Sequence, residues 1–215
     1  WQDTRTQDIC DELNQMDELK DEFLKTGLPV ATYFSLSKIL WLLRNVNAVQ
    51  EAKNDNDLCF GTVDSWLLYK FTNKHVTDVT NASRTLLMDL NTLTWLDKVL
   101  QTLEIPKESL PVIHPSFTNY GTNKQILKNV PITAVLGDQQ ASLFGQNCVN
   151  PGDVKNTYGT GCFALTNTGS EIVYSNNGLL STVAFQKEGE VPQYALEGSV
   201  SIAGAAVQWL RAVSY

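Results

Sequence analysis

A chain of 215 residues with 43% hydrophobic side chains is long enough for one large domain, or parts of two, with a real core. A formal charge of −7 and the absence of any Lys/Arg cluster exclude a polyanion-binding footprint, so no nucleic-acid partner is expected. No run approaches the roughly 18 apolar residues of a membrane span, and Cys10, Cys59, Cys148, Cys162, His75 and His114 fall at no metal-type spacing.

Cysteines scattered through a mixed α/β sequence suit a reducing compartment. The chain opens on Trp1 with no signal-peptide pattern and closes at Tyr215 just past an apparent helix, and it reads as an internal piece of a longer protein. Residues 2–25 carry Ile9, Leu13, Met16 and Leu19 three to four apart, which predicts an amphipathic helix whose charged side is a solvated face. Gly27 and Pro29 stop it. Ser35, after Tyr33 and Phe34, is placed to cap a helix from Leu36 to Arg44. Residues 47–57 read as a polar surface segment with room for a short helix. Thr62 caps the next helix, whose apolar face of Val63, Trp66, Leu67 and Phe71 makes Trp66 a core residue.

Residues 77–85, Thr-Asp-Val-Thr-Asn-Ala-Ser-Arg-Thr, are dense in short polar side chains. They form either a solvated connection or a shaped loop beside a cleft. Trp95 to Leu103 reads as a further amphipathic helix, and Pro106, Pro111 and Pro115 punctuate the approach to the next strand.

Ile132 to Leu136 is an apolar run, Gly137 a turn, and Ala141 to Gly145 a helical segment. Asp138 then stands at the carboxyl end of a buried strand, where open α/β sheets bind ligands. As an ordinary alternative it caps the following helix. Asn150-Pro151-Gly152-Asp153 is a strong turn. Strand-like runs follow at Val154–Tyr158, Cys162–Asn167, Leu179–Phe185 and Gln193–Glu197, then a helix from Ile202 to Arg211. This is the start of a new α/β unit, with a boundary near residues 147–152.

Gly159-Thr160-Gly161 joins two of these strands. It is either a plain hairpin or a place where backbone N–H groups and the Thr160 hydroxyl meet a phosphate. Neither a P-loop nor a Gly-x-Gly-x-x-Gly pattern is present. Gly204 lies in a small-residue helix start, Ala203 to Ala206, which suits close helix–sheet packing or a flat ligand. A carboxylate ending one domain and a Gly-Thr-Gly loop opening the next, facing each other across a cleft, suit phosphoryl transfer to a hydroxyl.

Gly137-Asp138-Gln139-Gln140-Ala141 to Gly145-Gln146, Lys155 through Phe163, Thr77 through Thr85 and Tyr194-Ala195-Leu196-Glu197-Gly198 together resemble the FGGY carbohydrate kinases, specifically those acting on glycerol. The resemblance runs over the whole chain. It implies an actin-like, ribonuclease-H-type α/β fold. Residues 1–147 would be the later part of the N-terminal, glycerol-binding domain, and 148–215 the first part of the C-terminal, nucleotide-binding domain. It implies ATP-dependent formation of sn-glycerol 3-phosphate with ATP/ADP and Mg²⁺, Asp138 serving as catalytic base near the metal, directly or through water. Asp138, Gln139 and Tyr33 would contact glycerol hydroxyls, and Trp1 and Phe163 its carbon chain. Gly159, Thr160, Gly161, Gly204 and Gln208 would meet the nucleotide. A cytoplasmic, homo-oligomeric protein, dimer or tetramer, is implied.

Other parts of the family's site, an upstream phosphate hairpin and an Arg-Glu pair on glycerol, do not occur in this chain, which is expected to be inactive alone. The Gly-rich fructose 1,6-bisphosphate loop of bacterial relatives has no counterpart between Tyr120 and Val130, where only Gly121, Lys124 and Lys128 stand. Another sugar or polyol kinase of the fold and a non-catalytic interaction protein are the competing readings.

Overall fold

The computed structural model describes residues 2–123 and 129–213; Trp1, Lys124 and Lys128 lie outside them. The expected first helix is two. Helix α1 (Gln7–Asn14) ends where Met16 leaves helical geometry at φ −83°, ψ 84°. A 3-10 turn then leads into α2 (Lys20–Leu24). Ile9, Leu13 and Leu19 are buried as their spacing required. Helix α3 (Ser35–Asn45) starts one residue early: Phe34 is the cap and Ser35 makes no capping bond. The polar segment after it is largely helical, α4 (Asn47–Asn54).

Helix α5 (Val63–Thr72) follows Thr62 as expected, but Thr62 turns its hydroxyl to Asp64 rather than to the backbone. Trp66 is not core: it is 58% exposed. The buried stripe of α5 runs through Ser65, Leu68 and Thr72, roughly 100° around the helix from Trp66. The indole stacks on Tyr69 and carries the Lys70 ammonium 4.4 Å from its ring centroid.

Residues 77–85 are no solvated connection. Strand β1 (Val76–Asp78) and the single-turn helix α6 (Val79–Ala82) bury Thr77, Asp78, Thr80, Ser83 and Thr85. A short hairpin, β2 (Met88–Asp89) with β3 (Thr94–Trp95), takes Trp95 out of the helix expected there, and α7 covers only Asp97–Thr102. Strand β4 (Val112–His114) pairs parallel with β1, and β5 (Phe117–Thr122) antiparallel with β6 (Pro131–Ala134). Strand β6 is mostly exposed rather than buried.

Helix α8 (Asp138–Gly145) precedes a four-stranded antiparallel sheet, ordered β7-β8-β10-β9, from β7 (Val154–Tyr158), β8 (Cys162–Gly169), β9 (Leu180–Phe185) and β10 (Gln193–Val200). Helix α9 (Gly204–Val213) closes the described chain. These strands match their sequence pattern within a few residues. Alternation carries them: Val183 and Tyr194 pack toward α6, while Ala184 and Ala195 pack toward α8 with Leu143 and Leu165. Phe117, Phe144 and Phe185 fill that second layer, their nearest ring centroids 4.7 Å apart. The first core, from Ile9 through Leu100 to Leu110, lies among α1, α2, α3 and α7. Among the described residues no helix is long and apolar enough to cross a membrane, and no metal-binding group of His, Cys, Asp and Glu occurs. The four cysteines form no disulfide.

Candidate active site

Asp138 opens α8, and the cap is Gly137, with no side-chain cap bond at that terminus. The capping alternative therefore fails. The carboxylate is exposed and takes a hydrogen bond on Oδ2 from Gln139 Nε2 at 3.1 Å. The turn that aims it is held from below. Gly137 N–H donates to Thr80 Oγ1 at 2.8 Å, and Thr80 Oγ1 donates to the Asp78 carboxylate. Asp78 is wholly buried and also accepts from the N–H groups of Thr80 and Asn81, from Asn81 Nδ2, and from Ser116 Oγ. Burial pushes its carboxyl above the usual range, and these donors oppose the shift. A carboxylate surrounded by donors fixes the loop that its neighbour Thr80 uses to hold Gly137.

Lys155 enters from β7. It is only 2% exposed, yet its ammonium donates to Gln139 Oε1 at 2.5 Å, Thr157 Oγ1 at 3.0 Å and the Phe163 carbonyl at 3.2 Å. Burial lowers its pKa, and the Glu197 and Asp138 carboxylates counter that. Glu197, on β10 and 1% exposed, pairs at 2.8 Å with Arg84, which follows α6. The Arg84 guanidinium lies 5.6 Å from the ring centroids of both Tyr33 and Phe34. Arg84 Nη1 and Glu197 Oε2 are buried without a hydrogen-bond partner among the described residues. Asp138, Gln139 and Phe163 are thus tied to one ammonium, and Tyr33 is tied to β10 through Arg84.

The Gly-Thr-Gly segment is a hairpin between β7 and β8, with Gly159 N–H bonded to Gly161 O at 2.8 Å. It does more than turn. The Thr160 carbonyl accepts from Ala203 N–H and the Gly159 carbonyl from Gly204 N–H, at 2.8 and 3.0 Å, at the start of α9. A Cβ on Gly204 would sit 2.4 Å from Gly159 O, and one on Gly161 2.6 Å from Val200 O. Both positions need glycine because backbone meets backbone there. The small residues of α9 serve this close packing. Thr160 is exposed, with no hydrogen bond on its hydroxyl among the described residues, and Gln208 is exposed one turn into α9. The structure therefore joins Gly159, Thr160, Gly161 and Gly204 in one loop–helix unit. Trp1, the remaining expected contact, lies outside the described residues.

Lys155, Arg84, Asp78 and Glu197 have no assigned role in a sequence reading beyond the motifs that contain them. The available signal was a charged residue inside each of two strand-like runs, Val154–Tyr158 and Gln193–Glu197, where burial demands a partner.

A mixed α/β architecture, with an exposed carboxylate at the start of α8 and a glycine-rich hairpin seated on α9, sets the class of fold. The chain belongs to the FGGY family of carbohydrate kinases: residues 1–145 match the family's N-terminal domain and 154–213 its C-terminal domain. It therefore has the actin-like ATPase fold and supplies parts of its two domains. It is 51% identical to glycerol kinases of Burkholderia pseudomallei and Mycoplasma pneumoniae over 98% of its length, and it spans 43% of theirs. The crystal structure of Plasmodium falciparum glycerol kinase with ADP superposes with a TM-score of 0.90 at 41% identity, covering 97% of this chain and 42% of that one. A xylulose kinase from Lactobacillus acidophilus, at 23% identity and a TM-score of 0.80 over 97% of this chain and 42% of that one, shares the fold.

Proposed function

We propose that the protein to which this chain belongs transfers the γ-phosphoryl group of ATP to glycerol, giving sn-glycerol 3-phosphate, and that Asp138 is the base. The observation that carries this reading is the placement of Asp138. It is an exposed carboxylate at the first position of a helix, bound to no cap, with its Gln139 neighbour locked by Lys155. Identity of 51% to glycerol kinases supports the substrate. Such a carboxylate accepts the hydroxyl proton as the oxygen attacks phosphorus. Gln139 and Tyr33 orient the polyol hydroxyls, and Phe163, with Trp1, packs against its carbons.

On the nucleotide side, the residues present fit a phosphate group. The exposed Thr160 hydroxyl, flanked by Gly159 and Gly161, stands on a backbone rigidly seated on α9, and Gly204 and Gln208 extend that surface. The ADP in the Plasmodium structure supports this side of the reading. Mg²⁺ when bound with ATP neutralises charge on the transferring phosphoryl group, and the free carboxylate of Asp138 is the donor in this chain suited to lie near it. We place the division between domains at residues 147/148, which the two family matches bracket. A cytoplasmic location, which the unpaired cysteines favour, and a homo-oligomeric state, dimer or tetramer, complete the proposal.

The test is turnover of the full-length protein, measured by coupling ADP release to NADH oxidation, on a panel of glycerol, xylulose and gluconate. Glycerol should be preferred. Asp138→Asn should lower kcat by about 10²–10⁴-fold, with the glycerol KM little changed. Near-full rate in that variant would remove the base assignment, and preference for a sugar would replace the substrate.

A further inference from the structure

We propose that Lys155 is a positioning residue for the phosphoryl-acceptor site. Its ammonium sets the sense of the Gln139 amide, so that Gln139 donates to Asp138, and it anchors the strand turn bearing Phe163. The inference rests on the proposed reaction and deepens it.

The geometry leaves the ammonium no other task. A lysine has three N–H donors and no acceptor, and here three acceptors surround it: Gln139 Oε1, Thr157 Oγ1 and Phe163 O. With 2% of the residue exposed, a phosphate could bind this cation only by displacing one of them. The consequence falls on Gln139. A primary amide presents an oxygen on one side and an NH₂ on the other, and either end can face a neighbour. Lys155 cannot accept, so the oxygen must face it. The NH₂ is then turned to Asp138 Oδ2, 3.1 Å away. Without the ammonium the amide is free to rotate, and an oxygen turned toward Asp138 would set two acceptors against each other. The third bond, to Phe163 O, fixes the backbone of a residue expected to pack on the polyol. A buried cation bonded only to neutral oxygens costs desolvation. The Glu197 and Asp138 carboxylates are near enough to offset part of that cost, which explains how the lysine persists in this layer.

The experiment is a double-mutant cycle in the full-length kinase. Lys155→Met keeps the length of the side chain and removes the donor. It should raise the glycerol KM about tenfold and lower kcat/KM for glycerol about 100-fold, with the ATP KM within about twofold of the parent. In a Gln139→Ala background the same substitution should lower kcat/KM by only about tenfold or less, because the amide it orients is gone and only the anchoring of Phe163 remains. A purely structural lysine would instead cost the same in both backgrounds, and that additive result overturns the inference while leaving the glycerol kinase reading intact. A raised ATP KM in Lys155→Met overturns it in favour of a direct phosphate contact. Should Lys155→Met not fold, Lys155→Leu, which also removes the donor, is carried through the same cycle with the same two criteria. An unsubstituted full-length protein with no glycerol turnover overturns the functional reading and the inference with it.

Discussion

At the scale of single residues, two positions turn local geometry into measurable consequences. Gly204 has its N–H on the Gly159 carbonyl, and a Cβ there would lie 2.4 Å from that oxygen. The obstructing atom is backbone, so no side chain can swing aside, and either α9 or the Gly159-Thr160-Gly161 loop must move. Gly204→Ala should cost about 1–3 kcal/mol by overpacking and raise the ATP KM more than the glycerol KM. Steady-state kinetics with each substrate varied in turn will show whether the effect is confined to the nucleotide side. Lys155 makes a second prediction, on pH. Burial holds its pKa below the ordinary 10.5 against the pull of Glu197 and Asp138. Between that lowered value and 10.5, the unfolded chain retains a proton that the folded chain has lost, so the contribution of this site to stability rises with pH across that window. Its desolvation cost is complete at neutral pH. The melting temperature of the parent minus that of Lys155→Met should therefore increase as the pH rises through that window toward 10.5. A difference that stays flat or shrinks contradicts the assignment of a buried, destabilised ammonium.

At the scale of elements, strand β1 and helix α6 are the part of the fold that sequence patterning hides. Strands β7 to β10 were legible because turn residues rich in glycine and asparagine cut the chain into short strand-like runs. Residues 77–85 offer no such run. Threonine, aspartate, asparagine and serine in a row look solvated, and only the closed set of hydrogen bonds around Asp78 explains why they are buried. Trp66 failed for the related reason that one helix face was apolar by composition while another was buried by packing. Asp138 was legible as a residue, but its support was not: Thr80, the holder of Gly137, is 57 positions away in sequence. Replacing Asp78 by Asn puts an NH₂ among groups that all donate. At about 1–3 kcal/mol for each buried partner left unpaired, Asp78→Asn should destabilise by about 3 kcal/mol or more. It should also lower kcat in whatever fraction folds, because Gly137 loses its fixed partner. Urea denaturation together with active-site titration separates the two effects. A stable variant with full kcat would mean that Asp78 merely fills space.

At the scale of the whole molecule, the two portions are joined by polar bonds that cross from residues before 147 to β9 and β10. Gly27 O accepts from Ser181 N–H, Ser83 Oγ meets Thr182 Oγ1 at 2.8 Å, Gln140 Nε2 donates to Thr182 Oγ1, Tyr194 donates to Leu90 O at 2.7 Å, and Arg84 pairs with Glu197. Ser83, Gln140, Ser181, Thr182, Tyr194 and Glu197 are buried in these contacts, while Gly27 and Arg84 are part-exposed. Domains that close on substrates usually meet through looser, wetter contacts, whereas this junction has the make-up of a shared core. Thr182 is its most economical probe. It is wholly buried, and one hydroxyl serves both Ser83 from the α6 side and Gln140 from the α8 side. Thr182→Val keeps the shape, removes that hydroxyl and takes the acceptor from Gln140 Nε2, while Ser83 Oγ keeps its bond to the Thr80 carbonyl, at a cost of about 1–3 kcal/mol. If the junction is a shared core, calorimetry should show the melting transition moving down while staying single. A junction that works as a hinge would split the transition in two, because loosening it would let one portion melt ahead of the other.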